Sequence, residues 1–361
     1  MKNSGEPTQS MMENLWELIF KTLSASDLLN LSMVSKGFYK IIGKSPFLIG
    51  KIQLNITETW NREFTCEDVQ HSERKYAHVK IEELLRSRDE VRKMLMKFSD
   101  SVVTITTRFD IEMHGLILPK LQVLQINTRQ ASSYVEFGLM MSTLNLSKLS
   151  LHGTTPYPTE VIKCLENNTG LKELVFEGGA ANNVIGFLSA EIGTGFQLKT
   201  LKFDNSSDYH QGKFFEFLHT QFAYIEDFKA YNFKFEIMAQ MLKCMTNLER
   251  LTYSPSYPMS KIQSSQLNSA RSIVELNLIN VDEDLVRVFL EKTPRLQKLY
   301  IGTPTWRMFD FLLYNLPSLR EFRFAFFEPK SQKTLEDART YHIAEGRKHI
   351  DVNKNISLIQ I

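Results

Sequence analysis

The chain has 361 residues, of which 43% are hydrophobic and 23% charged, and its formal net charge is +2. These proportions are typical of a soluble globular protein, and no apolar run approaches the ~20 residues that span a bilayer. Basic and acidic residues are interspersed, so neither nucleic acid nor a membrane surface is expected as a partner.

The cysteines and the amino terminus point to a reducing compartment. Cys66, Cys164 and Cys244 lie far apart and form no CxxC pair, which argues against a disulfide framework or a zinc site. The first residues lack the apolar core of a secretory signal. We therefore expect a cytoplasmic or nuclear protein.

Residues 11–45 are predicted to form three short helices. The stretch ENLWELIFKTL (13–23) surrounds the first helix with apolar side chains. Ser26 or Asp27 is predicted to cap a second helix over LLNLSMV, and KGFYKII forms a third before Pro46. Three helices of this size cannot bury so much apolar surface among themselves, so a partner surface is expected.

These helices resemble the F-box. Its motif runs L-P-x-E-[IL]-[LW]-x-x-I-F-x-x-L, then D-L-L, then V-[CS]-[KR]-x-[FW], and it closes at a proline. Two departures stand at the start, where Met11-Met12 replace Leu-Pro and Asn14 replaces Glu. The matching residues are Leu15, Trp16, Ile19, Phe20, Leu23, Asp27, Leu28, Leu29, Val34, Ser35, Lys36, Phe38 and Pro46.

The resemblance implies docking on the Skp-type adaptor of a cullin-RING ubiquitin ligase, with the cullin as a further partner. Any single apolar position could instead belong to the module's own core, since both roles require apolar side chains. We expect the docking surface at Leu15, Ile19, Leu23, Leu28, Leu29 and Val34.

The rest of the chain repeats a phrase of the form L-x-x-L-x-L, with other apolar residues allowed. Nine clear copies follow one another at intervals of 23 to 27 residues. They begin at Leu121, Leu146, Leu171, Leu198, Ile225, Leu248, Ile273, Leu296 and Leu319. Weaker copies begin at Tyr76 and Val102, and the series is expected to open at Ile49 and to close at Ile356.

Each repeat predicts one strand and one helix. The end of the phrase alternates apolar and polar residues, as does a strand with one buried face. Stretches such as FEIMAQMLKCM (235–245) and DLVRVFLEK (284–292) have helical spacing but are too short to be stable alone. Stacking the units predicts an α/β solenoid with parallel strands on the concave side and helices on the convex side. A generic α/β domain is the alternative.

The repeats resemble leucine-rich repeats of the longer class with a helical convex side, over roughly residues 76–327. The family's usual Asn or Cys, which follows the start of the phrase by eight residues, is missing. Its side-chain ladder between neighbouring turns is therefore not expected, and the curvature is expected to be irregular. The positions hold Arg129, Thr154, Gly179, Ser206, Phe233, Ser256, Val281, Pro304 and Phe327.

The sequence carries no catalytic motif: no P-loop, G-x-G-x-x-G, G-x-S-x-G or H-E-x-x-H is present. We expect no enzyme activity, no cofactor and no metal. Solenoids usually bind targets on the concave sheet, where the polar residues of the phrases point outward. Candidate contacts with an unknown protein target are Tyr231, Arg250, Tyr300 and Arg323, because Tyr and Arg are favoured at interface hot spots.

The predicted organisation is a disordered segment (1–10), an F-box-like helical module (11–48), a leucine-rich-repeat solenoid (49–327) and a charged segment with a candidate terminal repeat (328–361). The resemblances together imply a non-catalytic, substrate-recognition subunit of an SCF-type ubiquitin ligase. The alternative is a leucine-rich-repeat scaffold or inhibitor in which the helical head serves only as an end cap.

Overall fold

A computed structural model describes residues 6–56, 75–82, 88–108, 116–128, 145–153, 158–180, 184, 186, 188, 190–204, 211–256, 267, 270–302, 316 and 318–324. The chain divides into two units, Met1–Leu171 and Lys172–Ile361. Among the described residues, no helix combines the length and the apolar character that crossing a bilayer requires.

Four helices open the first unit: α1 (Glu6–Phe20), α2 (Ala25–Val34), α3 (Lys36–Lys44) and α4 (Pro46–Lys51). α1 starts earlier than the expected domain boundary at residue 11. The sequence predicted three helices, the last of them before Pro46, and α3 does end at Lys44. The fourth helix was not predicted: Pro46 begins α4, because proline at the first helical position lacks only an N–H that would have no partner there.

Serines cap three of these helices. Ser24 accepts a hydrogen bond from the Asp27 N–H while the Asp27 carboxylate accepts one from the Ser24 N–H, a capping box that starts α2. The predicted cap, Ser26 or Asp27, was therefore wrong by two or three residues. Ser35 caps α3 and Ser45 caps α4 in the same way, through their side-chain oxygens.

The first unit continues with parallel strands that pair in chain order. The helices described between and after the strands are α5 (Arg88–Lys97) and α6 (Pro158–Asn167). The strands are β1 (Gln53–Ile56), β2 (His78–Ile81), β3 (Thr104–Thr107), β4 (Val123–Thr128) and β5 (Lys148–Gly153).

The second unit repeats this arrangement, again with each described strand parallel to the next. Its strands are β6 (Glu173–Glu177), β7 (Thr200–Asp204), β8 (Asp227–Phe233), β9 (Arg250–Pro255), β10 (Glu275–Leu278), β11 (Lys298–Ile301) and β12 (Glu321–Phe324). Its described helices are α7 (Ala190–Gly193), α8 (Gln211–His219), α9 (Phe235–Cys244) and α10 (Glu283–Lys292). The predicted fold class, helices followed by an α/β solenoid of parallel strands, is confirmed.

The strands begin at a constant point in the repeated phrase. From the copy at Tyr76 to the copy at Leu319, each strand starts two residues after the first residue of its phrase. The opening copy differs, because Ile49 lies in α4 and β1 starts only at Gln53. The same two-residue offset places the start of the first phrase at Lys51 and not at Ile49. The expected terminal copy at Ile356 lies outside the described residues.

Phenylalanine fills the core of the second unit. The rings of Phe203 and Phe214 stack with centroids 4.0 Å apart, and Phe233 meets Phe203 edge-on at 5.5 Å. All three side chains are fully buried. Strand and helix faces therefore share one apolar layer, which is what makes short helices stable in a stack.

Two buried polar side chains tie successive repeats together in the turns before the strands. The Asn168 side chain accepts a hydrogen bond from the Leu146 N–H, and Gln221 accepts one from the Leu198 N–H at 2.9 Å. Each donor is the first residue of the preceding phrase. These ties lie in the turns before the strands, a different position from the one that carries the side-chain ladder in leucine-rich repeats, eight residues after the start of the phrase.

Candidate functional site

An apolar face of α1 is open to solvent. Met12, Leu15, Leu18 and Ile19 are between 44% and 61% exposed. Residues 12, 15 and 19 recur at the spacing of one helix face, and residue 18 borders it. α1 therefore carries exposed apolar side chains of the kind that the sequence predicted.

The opposite side of α1 forms the core of the helical module. Phe20 is buried with Leu28, Ile42, Leu48 and Ile52. Trp16 and Phe38 pack around it: the Phe20 and Phe38 rings meet edge-on at 5.2 Å, and Trp16 lies 5.0 Å from Phe38. These aromatic contacts fix the helix so that its other side faces outward.

A second exposed apolar pair ends α2. Met33 and Val34 are 78% and 79% exposed, the highest values among the large apolar residues of the module. Ser35 is both the C-cap of α2 and the N-cap of α3, so Val34 lies at the corner between the two helices. An isolated exposed side chain is ordinary, but this pair adds to the face on α1 within one module.

The six predicted docking residues divide into three groups. Leu15, Ile19 and Val34 are exposed. Leu23 and Leu29 are partly buried against the core, whereas Leu28 is fully buried in it and takes the core role that sequence reasoning left open. Met12, Leu18 and Met33 are exposed as well, although they were not among the predicted docking residues. The helical spacing of Met12 with Leu15 and Ile19 would have grouped Met12 with them.

Polar contacts fasten α4 beneath α1. The Ser45 hydroxyl donates to the Glu17 carboxylate at 2.8 Å. The Lys51 ammonium donates to the Lys21 and Leu23 carbonyls at 2.6 and 3.1 Å, where cationic groups stabilise the carboxyl end of a helix. Helix orientation is therefore fixed by both apolar and polar contacts.

The four predicted target contacts lie on strands of the second unit but do not form one cluster. Tyr300 and Arg323 are direct cross-strand partners on β11 and β12. Arg250 lies on β9 and pairs with the Asp227 carboxylate at 3.3 Å. Tyr231 lies on β8 under the Lys202 ammonium, 5.3 Å from its ring centroid, and burial raises the pKa of its hydroxyl.

Ion pairs cover much of this strand surface. Asp227 also faces the Lys229 ammonium at 3.7 Å, and Glu321 pairs with both Arg323 and Lys298. Val175 and Asp227, which strand alternation places on the outward face, are nearly covered by their neighbours. The surface thus presents mixed, locally compensated charge, which gives no sign preference for a target.

Within the described ranges, no group of three His, Cys, Asp or Glu side chains could hold a metal ion. His71 and Cys66 lie outside those ranges. Cys164 is buried, and desolvation raises the pKa of its thiol to about 12, which is the opposite of what a nucleophile needs.

Comparison with known proteins bears on the helical module. Residues 11–50 match the family model described as F-box domain. A search of curated proteins gave no significant match to the chain. The matched residues include the exposed side chains of α1 and α2 and the aromatic core beneath them. The helices that present the open apolar face are therefore an F-box domain, and the chain carries it ahead of an α/β repeat array.

Proposed function

We propose that the protein is a substrate-recognition adaptor of an SCF-type cullin-RING ubiquitin ligase, working in the cytoplasm or nucleus. F-box domains bind Skp-type adaptors. The observation that carries the proposal is the apolar face of Met12, Leu15, Leu18 and Ile19, which stays exposed although the same module buries an apolar core around Phe20.

The energetics favour a partner that covers this face as a whole. Fully burying one leucine or isoleucine contributes about 1.5–3 kcal/mol, and these side chains are only about half exposed. Association costs on the order of 4–15 kcal/mol. Several of the exposed residues must therefore be covered together, which Met33 and Val34 at the end of α2 would assist.

The repeat array, residues 49–327, supplies the other half of the proposed role. In this proposal its leucine-rich repeats hold the target protein, and the adaptor and cullin bring the ubiquitin-carrying enzyme. The chain itself performs no chemistry and acts by raising the effective concentration of target near that enzyme.

The alternative is a repeat scaffold whose helical head serves only as an end cap. An end cap stabilises an array by burying its own apolar side against the first repeat. Ile52 and Tyr76 do pack with the F-box core, so the head has a capping contact. That contact leaves the α1 face uncovered, which favours the ligase role.

The test is co-purification of the full chain with the Skp-type adaptor and the cullin. A Leu15→Asp/Ile19→Asp variant places two charges on the exposed face and should lose both proteins. Met96→Asp/Ile117→Asp is the matched control, because these side chains are 50% and 77% exposed outside the F-box domain. Point variants are preferable to deletion of the helices, since deletion would uncover Ile52 and Tyr76. If the natural chain and both double variants recover equal amounts of adaptor and cullin, the proposal is rejected.

A further inference from the structure

The first unit contains an open depression where the end of α4 meets the strands. Its volume is about 450 Å³, and its walls come from α4, β1, β2, β3 and β4. Pockets for small ligands commonly enclose about 300–1,000 Å³. The depression is thus large enough to receive a side chain of another protein.

Positive charge dominates this depression. Lys51 and Lys80 line it, and no carboxylate does among the described residues. The Glu82 carboxylate forms an ion pair with Lys80 and a second one with the Arg108 guanidinium at 4.0 Å. The hydrogen bond from Lys80 lowers the pKa of Glu82, so this carboxylate stays ionised. It offsets only one of the two cations that it contacts.

Lys51 contributes a charge that pairs with no carboxylate in the part of the chain that the structure describes. Its two hydrogen bonds run to the carbonyls of Lys21 and Leu23, which are neutral acceptors. These bonds also hold the ammonium in place, so it needs little ordering when a ligand binds. A fixed cation beside a polar depression attracts an anion more strongly than a mobile surface lysine does.

Neutral donors complete the lining. On β3, Thr104 lies opposite His78 of β2, and Thr106 lies opposite Lys80. On β4, Gln125 lies opposite Thr106. The Thr106 hydroxyl donates to the Gln125 side-chain oxygen at 3.2 Å, which leaves the Gln125 amide nitrogen to donate elsewhere. Within the described part of the chain, His78 and Thr104 side chains have no hydrogen-bond partner, so both are available to a ligand.

We propose that this depression binds an anionic group on the target protein, either a phosphorylated serine or threonine or the carboxylate of an acidic segment. The cations provide attraction, and the hydroxyl, amide and imidazole groups provide hydrogen bonds to the oxygens. The identity of the bound molecule as a ligase target rests on the proposed function. The anion preference rests only on the side chains of the depression.

The experiment is calorimetric titration of the full chain with four probes. They are a phosphoserine tripeptide, the same tripeptide with glutamate, the same tripeptide with unmodified serine, and inorganic phosphate. We expect the phosphoserine or the glutamate peptide to bind at millimolar concentration or better and the serine peptide not to bind. Lys80→Gln should weaken binding by about tenfold or more, because a charge-assisted hydrogen bond is lost.

Two further variants keep the result interpretable. Thr104→Val preserves side-chain shape and removes one hydroxyl, so it should weaken binding by roughly two- to tenfold without unfolding the strand. Lys298→Gln removes the same charge from an exposed lysine on β11 in the second unit and should bind like the natural sequence.

Equal affinity for all variants, failure of both anionic peptides, or binding of inorganic phosphate alone would overturn the proposal. The Leu15→Asp/Ile19→Asp variant should bind the peptides normally, so failure here is separable from failure to bind the adaptor.

Discussion

The side-chain oxygen of Asn168 accepts a hydrogen bond from the backbone N–H of Leu146, one repeat earlier in the chain. The amide nitrogen of the same side chain donates to the Cys164 carbonyl at 2.5 Å, and both Asn168 and Leu146 are fully buried. An amide can accept and donate at once. One side chain therefore satisfies a backbone donor at the start of one phrase and a backbone acceptor near the end of the helix that follows it.

We expect Asn168→Ala to destabilise the first unit by about 1–3 kcal/mol, because it leaves a buried N–H without a partner. Urea unfolding followed by circular dichroism measures this. Asn247→Ala is the control: Asn247 is exposed, and its amide makes one hydrogen bond to the Ala223 carbonyl. Its loss should change stability by less than about 0.5 kcal/mol. Similar losses for both variants would contradict a special role for Asn168.

Two leucines of the F-box domain should respond in opposite ways. Leu28→Ala removes a fully buried side chain and should cost about 2–5 kcal/mol of folding free energy. Leu15→Ala should leave stability within about 0.5 kcal/mol but weaken adaptor binding, since Leu15 is exposed. Thermal unfolding and adaptor titration of both variants would separate the two roles. A stable Leu28→Ala protein that fails to bind adaptor would assign Leu28 to the interface instead.

The two described cysteines should differ in reactivity. Burial raises the pKa of the Cys164 thiol to about 12, so near pH 8 it stays protonated, and its thiolate forms only as the pH approaches that value or the chain unfolds. Cys244 is exposed. Iodoacetamide labelling of the native protein, read by peptide mass spectrometry, should modify Cys244 and spare Cys164. Adding denaturant should expose Cys164; prompt labelling of both before denaturation would show that α6 opens readily.

Two glycine substitutions should have opposite signs. A Cβ at Gly193 would meet the Thr220 hydroxyl and lie 2.9 Å from the backbone carbonyl of Phe217. Gly193→Ala should therefore cost about 1–3 kcal/mol through overpacking. Gly43 in α3 has nothing within 4 Å of such an atom, so Gly43→Ala should stabilise the helix by about 0.5–1 kcal/mol. Chemical denaturation of each variant decides; a neutral Gly193→Ala would mean that the α7 turn can shift.

The repeat architecture was predictable because its determinant is periodic. A leucine phrase that returns every 23 to 27 residues specifies both where a strand lies and which face it buries. This is why a strand begins two residues into each phrase from Tyr76 to Leu319. The copy assigned to Ile49 was displaced by two residues because α4 extends through it, a shift that preserves which side chains face inward.

The F-box residues were harder to divide into core and surface. Leu15 and Leu28 have the same side chain and both match the motif, yet one is exposed and the other buried. The difference depends on how α2 packs against Phe20 and Ile42, which are close in space and distant in sequence. Helical spacing could have grouped Met12 with Leu15, but it could not have shown that Leu28 is buried in the core.

Polar contacts between repeats escaped prediction for a related reason. Asn168 and Gln221 lie in turns of different sequence, NNTG and HTQF, and each bonds to a backbone group more than twenty residues away. No local pattern specifies such a partner. The depression beside α4 likewise collects residues from five elements, so its charge emerges only once the strands are aligned.

The passage from α4 into β1 leaves no room for a hinge. Lys51 ends α4 while bonded to two carbonyls, Ile52 is buried in the helical core, and Gln53 already begins the first strand. A molecule seated on the first strands and another seated on α1 would keep a fixed mutual orientation. In the proposed ligase role, this fixed orientation would decide which lysines of the target the ubiquitin-carrying enzyme can reach.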